Sequence, residues 1–354
     1  MIINKIIGKE CKTTRSLWEE VFYEDSVQFT DYYFNNKAEK NIGYVIRQAP
    51  YDAMMFRTPY TVRIGQIQKE LSYIVGVATR KECRHRGYMR RLLLHSFKEM
   101  YEKKEPFAFL MPANPAIYEP FDFCYIYERQ QWKVIEDELD KKIDSWEAGD
   151  KPTGLYSVKS LREQGTEFPI MEKLAEFANE YLKEHYNIYV YRDLEYYEMQ
   201  LKESIAQNGD IYVLLDQGDV KAFFLYAKED GEVFIQEVME VEEGCLQFLQ
   251  KEKNKKPIIM ARIIHLEEML KLVCSKENKK IILEIEDNLI CENAGIYLWE
   301  ITSEGSSVSK LLDESSLEEL VNTNENWKEA ERYFMHIREL APRILTGVFI
   351  NEIV

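Results

Sequence analysis

Apolar positions recur with a helical period early in the chain. Leu17, Trp18, Val21, Phe22, Phe29 and Tyr33 follow this spacing, and a break near Asp25-Ser26 predicts two short helices. Strand patterns follow over 42–47 and 60–67, and 71–79 is a continuous β-prone run of the kind buried on both faces. From Tyr88 onward Met89, Leu92, Leu93, Phe97 and Met100 repeat at helical spacing, with Arg90, Arg91, Lys98 and Glu99 on other faces. That pattern predicts an amphipathic helix of about three turns or more. The run 107–111 is the next buried strand, so 71–111 reads strand, tight turn, helix, strand: one βαβ unit.

The 354 residues exceed the roughly 250–300 at which a single core stops growing, so two or three domains are expected. A polar stretch over 136–153 with Gly149 and Pro152 predicts the first boundary. Beyond it, 170–186 and 192–205 read as helices, and 211–215 and 222–227 as strands with turns at 217–219 and 229–231. This second unit has no glycine-rich phosphate turn. The charged run Lys251 to Lys256 ending in Pro257 predicts the second boundary. A third, α+β unit then offers strands over 258–265, 280–286 and 295–302, a helix over 266–273 and a capping box at Ser316-Leu317-Glu318-Glu319.

Composition narrows the class. Hydrophobic residues at 45% and charged residues at 31% describe a globular chain with a solvated surface, and no apolar run approaches the ~20 residues that span a bilayer. No membrane association and no secretory leader are expected. Six scattered cysteines with no metal-ligand spacing read as free thiols of a reducing cytoplasm, and no metal site is expected. A formal net charge of -16 repels phosphate backbones, which argues against nucleic acid and favours cationic partners.

The chemistry concentrates where the strand ending at Thr79 gives way to Arg84-His85-Arg86-Gly87-Tyr88-Met89 and the following helix. A helix start presents unpaired N–H groups that bind phosphate, Gly87 lets backbone approach an anion closely, and Arg84, Arg86 and Arg90 surround it with positive charge. Asn114 is a favoured N-cap and Pro115 a favoured first helical residue, which places Tyr118 on a short helix just beyond a central strand.

Arg84-x-x-Gly87 between a buried strand and an amphipathic helix resembles the acyl-CoA pyrophosphate loop of the GCN5-related N-acetyltransferase (GNAT) superfamily. Val75-Gly76-Val77-Ala78-Thr79, the loop itself, and Pro112-Ala113-Asn114-Pro115-Ala116-Ile117-Tyr118-Glu119-Pro120-Phe121 resemble its enhanced intracellular survival (Eis) branch, which takes a larger apolar residue where this chain has Met89.

The resemblance implies tandem acetyltransferase domains, an α/β unit with the acetyl-CoA site over 1–137 and a cofactor-free one over 138–255. A sterol-carrier-like α+β domain over 256–354 would follow. It implies an N-acetyltransferase in which Val75, Val77, Ala78, Thr79 and Asn114 contact acetyl-CoA beside the loop Arg84, His85, Arg86, Gly87, Tyr88, Met89 and Arg90. Tyr118 would be the general acid; the strand 71–79 carries no carboxylate of the kind many relatives use as base, and the resemblance gives that role to the terminal carboxylate of Val354. A homo-oligomer, hexameric by resemblance, would act on an amine such as an aminoglycoside, polyamine or lysine side chain. Asp25, among the acidic residues Glu19, Glu20, Glu24 and Asp31, is the substrate-contact candidate. Two alternatives stay open: a non-catalytic binder of acyl-CoA or an apolar ligand, and transfer of a longer acyl group.

Overall fold

The computed structural model describes residues 2–47, 49–135, 156–164, 168–229, 231–242, 244–324 and 327–352. The chain opens with β1 (Ile3–Ile7), α1 (Arg15–Val21), α2 (Val27–Tyr32), β2 (Ile42–Ile46), β3 (Ala53–Ile64), β4 (Ile67–Thr79), α3 (Tyr88–Glu102), β5 (Phe107–Leu110) and β6 (Cys124–Val134). The two short helices expected before residue 34 are α1 and α2, and Ser26 in the break caps α2 by accepting from the Phe29 N–H at 3.1 Å. β3 and β4 form a long hairpin, and β4 runs parallel to β5 across α3, as the βαβ pattern requires.

The middle of the chain supplies β7 (Ser157–Ser160), α4 (Phe168–His185), β8 (Ile188–Val190), α5 (Leu194–Ala206), β9 (Asp210–Asp216), β10 (Asp219–Glu229), β11 (Glu232–Glu240) and β12 (Leu249–Ile263). Four of these strands make a separate sheet in the order β11-β10-β9-β7. The expected first boundary at 136–153 lies outside the described residues. The second behaves differently from expectation: Lys251 to Pro257 continues as strand within β12, and β12 pairs with both β5 and β6. The strand assigned to the third unit therefore belongs to the first sheet. Its exposed charged half reads as a linker, while Ile258 to Ile263 are buried between two neighbours.

The remainder gives α6 (Leu266–Leu270), β13 (Lys279–Glu286), β14 (Gly295–Ile301), β15 (Ser306–Lys310), α7 (Glu314–Thr323), β16 (Glu331–His336), α8 (Ile337–Ile344) and β17 (Val348–Phe349). Its sheet runs β15-β14-β13-β16, with β13 and β16 parallel. The cap of α7 is Asp313, whose carboxylate accepts from the Ser316 N–H at 2.9 Å, so Ser316 sits inside the helix and not at its cap. β17 returns to the first sheet by pairing with β8, which in turn pairs with the far end of β3.

Candidate active site

β4 parts from β5 almost at once: Tyr73 and Phe109 are their paired positions. On its other side β4 carries a bulge. Met54 opposes Ala78 and Phe56 opposes Val75, so Met55 alone faces both Gly76 and Val77. Gly76 takes φ of 61°, and a Cβ there would stand 2.7 Å from the Trp18 ring and 3.0 Å from Phe56. Only glycine fits that conformation in that space. The extra residue takes one β4 peptide unit out of the ladder at the mouth of the splay, where an acyl carbonyl and a pantetheine arm could meet backbone. Val75 and Ala78 pack toward Trp18 and Tyr33, and Val77 toward the α3 side.

Beyond Thr79 the chain makes one 3-10 turn over Lys81–Cys83 and enters α3 through two left-handed residues, His85 at φ 61° and Gly87 at φ 74°. Gly87 is the N-cap of α3 and no side chain caps the helix, so its first-turn N–H groups point out of the turn with no side-chain oxygen on them. Arg84 and Arg86 are exposed and tied back only to backbone: Arg84 Nε donates to the Thr79 carbonyl at 3.3 Å and Arg86 Nη2 to that of Glu82 at 2.9 Å. Arg90 lies over the Phe121 ring at 5.7 Å. Tyr88 and Met89 turn their side chains inward, Tyr88 being buried with Leu92 and Leu93, so only their amides are offered to a phosphate.

Past the end of β5, Asn114 accepts from the Ala116 N–H at 3.0 Å and Pro115 opens a 3-10 turn, as expected. Tyr118 stands at the joint between that turn and a second over Glu119–Phe121. Its ring packs edge-on to Phe123, and burial pushes its hydroxyl up to about 12. A phenol so placed holds its proton at neutral pH and can donate it. The loop ends at Asp122, which accepts from the fully buried Arg262 at 2.6 Å; Arg262 also makes a two-pronged contact with Asp287 at 2.8 and 2.9 Å. Arg262 thus anchors the Tyr118 loop from β12.

Asp25 accepts from Trp18 Nε1 at 2.8 Å, and burial raises its carboxyl. It is tied to the ring that covers Gly76. The other acidic candidates divide: Glu19 and Asp31 both bind Arg15 at 2.7 and 2.6 Å, Glu20 binds Arg80 at 3.1 Å, and Glu24 is exposed.

Val354 lies outside the described residues, but the chain before it is docked. Asn351 donates to the Gln236 carbonyl at 2.9 Å and to Glu237 Oε2 at 3.1 Å. Glu352 is 1% exposed, accepts from the Tyr196 hydroxyl at 3.2 Å and lies 3.8 Å from Arg192, itself buried and bonded to Glu237 at 3.2 Å. Burial pushes the Glu352 carboxyl up to about 7, outweighing the pull of Arg192 and Lys37. Its field is, after burial, the largest influence raising the hydroxyls of Tyr60 and Tyr73, and Tyr73 is the β4 residue at the splay. Beside it Lys37 binds Glu203 at 2.6 Å, with the Tyr32 hydroxyl on the same carboxylate at 3.2 Å. Sequence reasoning did not single out Glu352, Arg192, Glu203 or Lys37; the one available signal was a lone carboxylate inside the apolar run 348–354.

Residues 3–126 match the Acetyltransferase (GNAT) domain family. That span holds the bulged strand, the basic turn and Tyr118, and the class it defines is an acetyl-CoA-dependent N-acetyltransferase. Over nearly its whole length the chain shares its fold with solved proteins. A probable N-acyltransferase from Enterococcus faecalis V583 aligns with a TM-score of 0.73 at 14% identity, over 98% of this chain and 90% of that one. A GCN5-related N-acetyltransferase from Anabaena variabilis ATCC 29413 gives 0.67 at 13%, over 96% and 89%. Eis1 from Mycobacterium abscessus gives 0.64 at 10%, over 98% and 90%, so the two share a fold. No curated protein matches the sequence. Among the described residues no helix is long and apolar enough to cross a membrane, and no group of three or more His, Cys, Asp or Glu side chains is placed to hold a metal.

Proposed function

We propose that the protein transfers the acetyl group of acetyl-CoA directly to a primary amine of a cationic acceptor, of aminoglycoside, polyamine or lysine type. The observation that carries this reading is the run from the Gly76 bulge through the Arg84–Gly87 turn into the uncapped start of α3, which brings a bulged strand, the exposed Arg84 and Arg86 and first-turn amides without a side-chain cap into one stretch of chain. Along it the loop residues and first-turn amides hold the pyrophosphate, and the β4 backbone from Val75 to Thr79, with Asn114 opposite, receives the pantetheine arm. The acceptor nitrogen attacks the thioester carbon; the C–N bond forms and the C–S bond breaks. A β4 amide at the bulge polarises the carbonyl, and Tyr118 gives its proton to the departing thiolate.

The proton lost by the amine goes to the chain end, where the carboxylate of Val354 is the base in our reading. Docking of residues 347–352 beside Tyr73 supports that route. Asp25 and the net charge of -16 favour a cationic acceptor. We read the organisation as two acetyltransferase-like units and a sterol-carrier-like third, assembled as a cytoplasmic homo-oligomer.

Thiol release from acetyl-CoA by protein with an unmodified C-terminus, assayed against polyamines and aminoglycosides, tests the reading. Turnover with a cationic amine is expected; acetyl-CoA binding without turnover on any amine argues for a binder instead. Extending the chain beyond Val354 is expected to abolish turnover while acetyl-CoA affinity holds. Undiminished turnover in the extended protein removes the terminal carboxylate from the mechanism.

A further inference from the structure

A cavity of about 600 Å³ opens between β6, α4, β11 and the chain end. None of Asp25, the Arg84–Arg90 turn or Tyr118 lines it, so it lies apart from the acetyl-CoA track, although the docked chain end forms one of its walls. Its walls are aromatic: Tyr127, Trp132, Tyr181, Tyr186 and Phe349, with Phe349 packed 5.4 Å from Tyr127 and 5.0 Å from Tyr186. Rings on several sides of a space this size suit a flat apolar ligand of modest dimensions.

The charge in that wall is unbalanced. Arg129 lines the cavity and its guanidinium has no hydrogen-bond or ion-pair partner among the described residues; its Nε and Nη1 are sealed from water without an acceptor. Burial of this half-buried side chain lowers its basicity, outweighing the opposing fields of Tyr127 and Glu237. Buried charges are ordinarily paired, because leaving one unpaired costs several kcal/mol. Of the two carboxylates in the lining, Glu128 is exposed, and Glu237 is already held by Arg192 at 3.2 Å and Asn351 at 3.1 Å. Lys251 and Lys255 extend the positive character to the exposed rim.

We propose that this cavity is a second ligand site, distinct from the acetyl-transfer site, that binds a small aromatic carboxylate with its ring among the tyrosines and its carboxylate on Arg129. Because Val348, Phe349 and Asn351 form one wall, a bound acid also steadies the segment that carries Glu352.

Calorimetric titration of the full chain with 4-hydroxyphenylacetate and with its neutral amide tests this. Saturable binding of the acid is expected, with the amide weaker by about tenfold or more and Arg129→Gln weakening the acid by a similar factor, as loss of a charge-assisted bond requires. Acid affinity should be unchanged in protein saturated with acetyl-CoA. Three results overturn the proposal: no saturable binding of the acid, equal affinity for acid and amide, or competition with acetyl-CoA. Since acid and amide are compared on the unaltered protein, instability of Arg129→Gln does not blunt the test.

Discussion

At the scale of single residues, burial raises two side chains, the Tyr118 hydroxyl and the Glu352 carboxyl. Burial raises the Tyr118 hydroxyl to about 12, so it keeps its proton at neutral pH, and in the proposed mechanism an acid that must deliver a proton to a thiolate benefits from holding it until then. Tyr118→Phe retains the edge-on packing with Phe123 and removes only the hydroxyl. Turnover should fall by about a hundredfold or more while acetyl-CoA affinity, measured by calorimetry, stays near that of the parent. Glu352 obeys the same physics with a different consequence. Its carboxyl titrates near 7 when folded and near the ordinary carboxylate value when unfolded, so between those limits the native state holds a proton that the unfolded chain has lost. Stability from this group is complete below the unfolded value and is lost as pH rises to about 7. Glu352→Gln cannot titrate, so its stability relative to the parent should climb from pH 5 to pH 7 and level off above. Denaturant unfolding at several pH values reads this directly, and a constant difference would contradict it.

At the scale of elements, two glycines in left-handed backbone make unlike demands. Gly76 sits at φ 61° beneath Trp18 and Phe56, whereas Gly87 sits at φ 74° with open space around it. Gly76→Ala meets backbone strain and a ring at 2.7 Å, and should cost about 2 to 4 kcal/mol with loss of the bulge. Gly87→Ala meets strain alone, about 1 to 2 kcal/mol, and should chiefly weaken acetyl-CoA binding at the start of α3. Thermal unfolding beside calorimetric titration separates the two; equal losses of stability would remove the packing argument at Gly76. The elements around these glycines were readable from sequence because their signals are local. The 3.6-residue repeat from Met89 to Met100 gave α3, and Asn114-Pro115 gave the turn before Tyr118. The bulge was not readable, since it exists only in the register between β3 and β4. Nor was the place of β12: its charged half carries the composition of a linker, and only pairing with β5 and β6 reveals a strand.

At the scale of the molecule, one buried network ties residues far apart in the chain to one another and to the chain end. Lys37 and Arg192 face three carboxylates, Glu203, Glu237 and Glu352. Two cations satisfy two carboxylates, and the third, Glu352, is the one whose carboxyl rises toward neutral pH. None of this was legible in the chain, because each charged residue is unremarkable locally and the pairs are separated by 166 residues for Lys37–Glu203. Removing one cation should therefore be felt across the network. Lys37→Met leaves Glu203 with the Tyr32 hydroxyl and should cost about 3 to 5 kcal/mol, while adding Glu203→Gln should restore much of that loss. Lys37 also holds the Glu352 carboxyl down, so the same substitution should move the pH window of Glu352 upward, although the two residues belong to distant parts of the chain. Unfolding curves of Lys37→Met with and without Glu352→Gln, taken from pH 5 to 8, report that displacement. An unmoved window would mean that Lys37 and Glu352 titrate independently and that the network is two separate pairs.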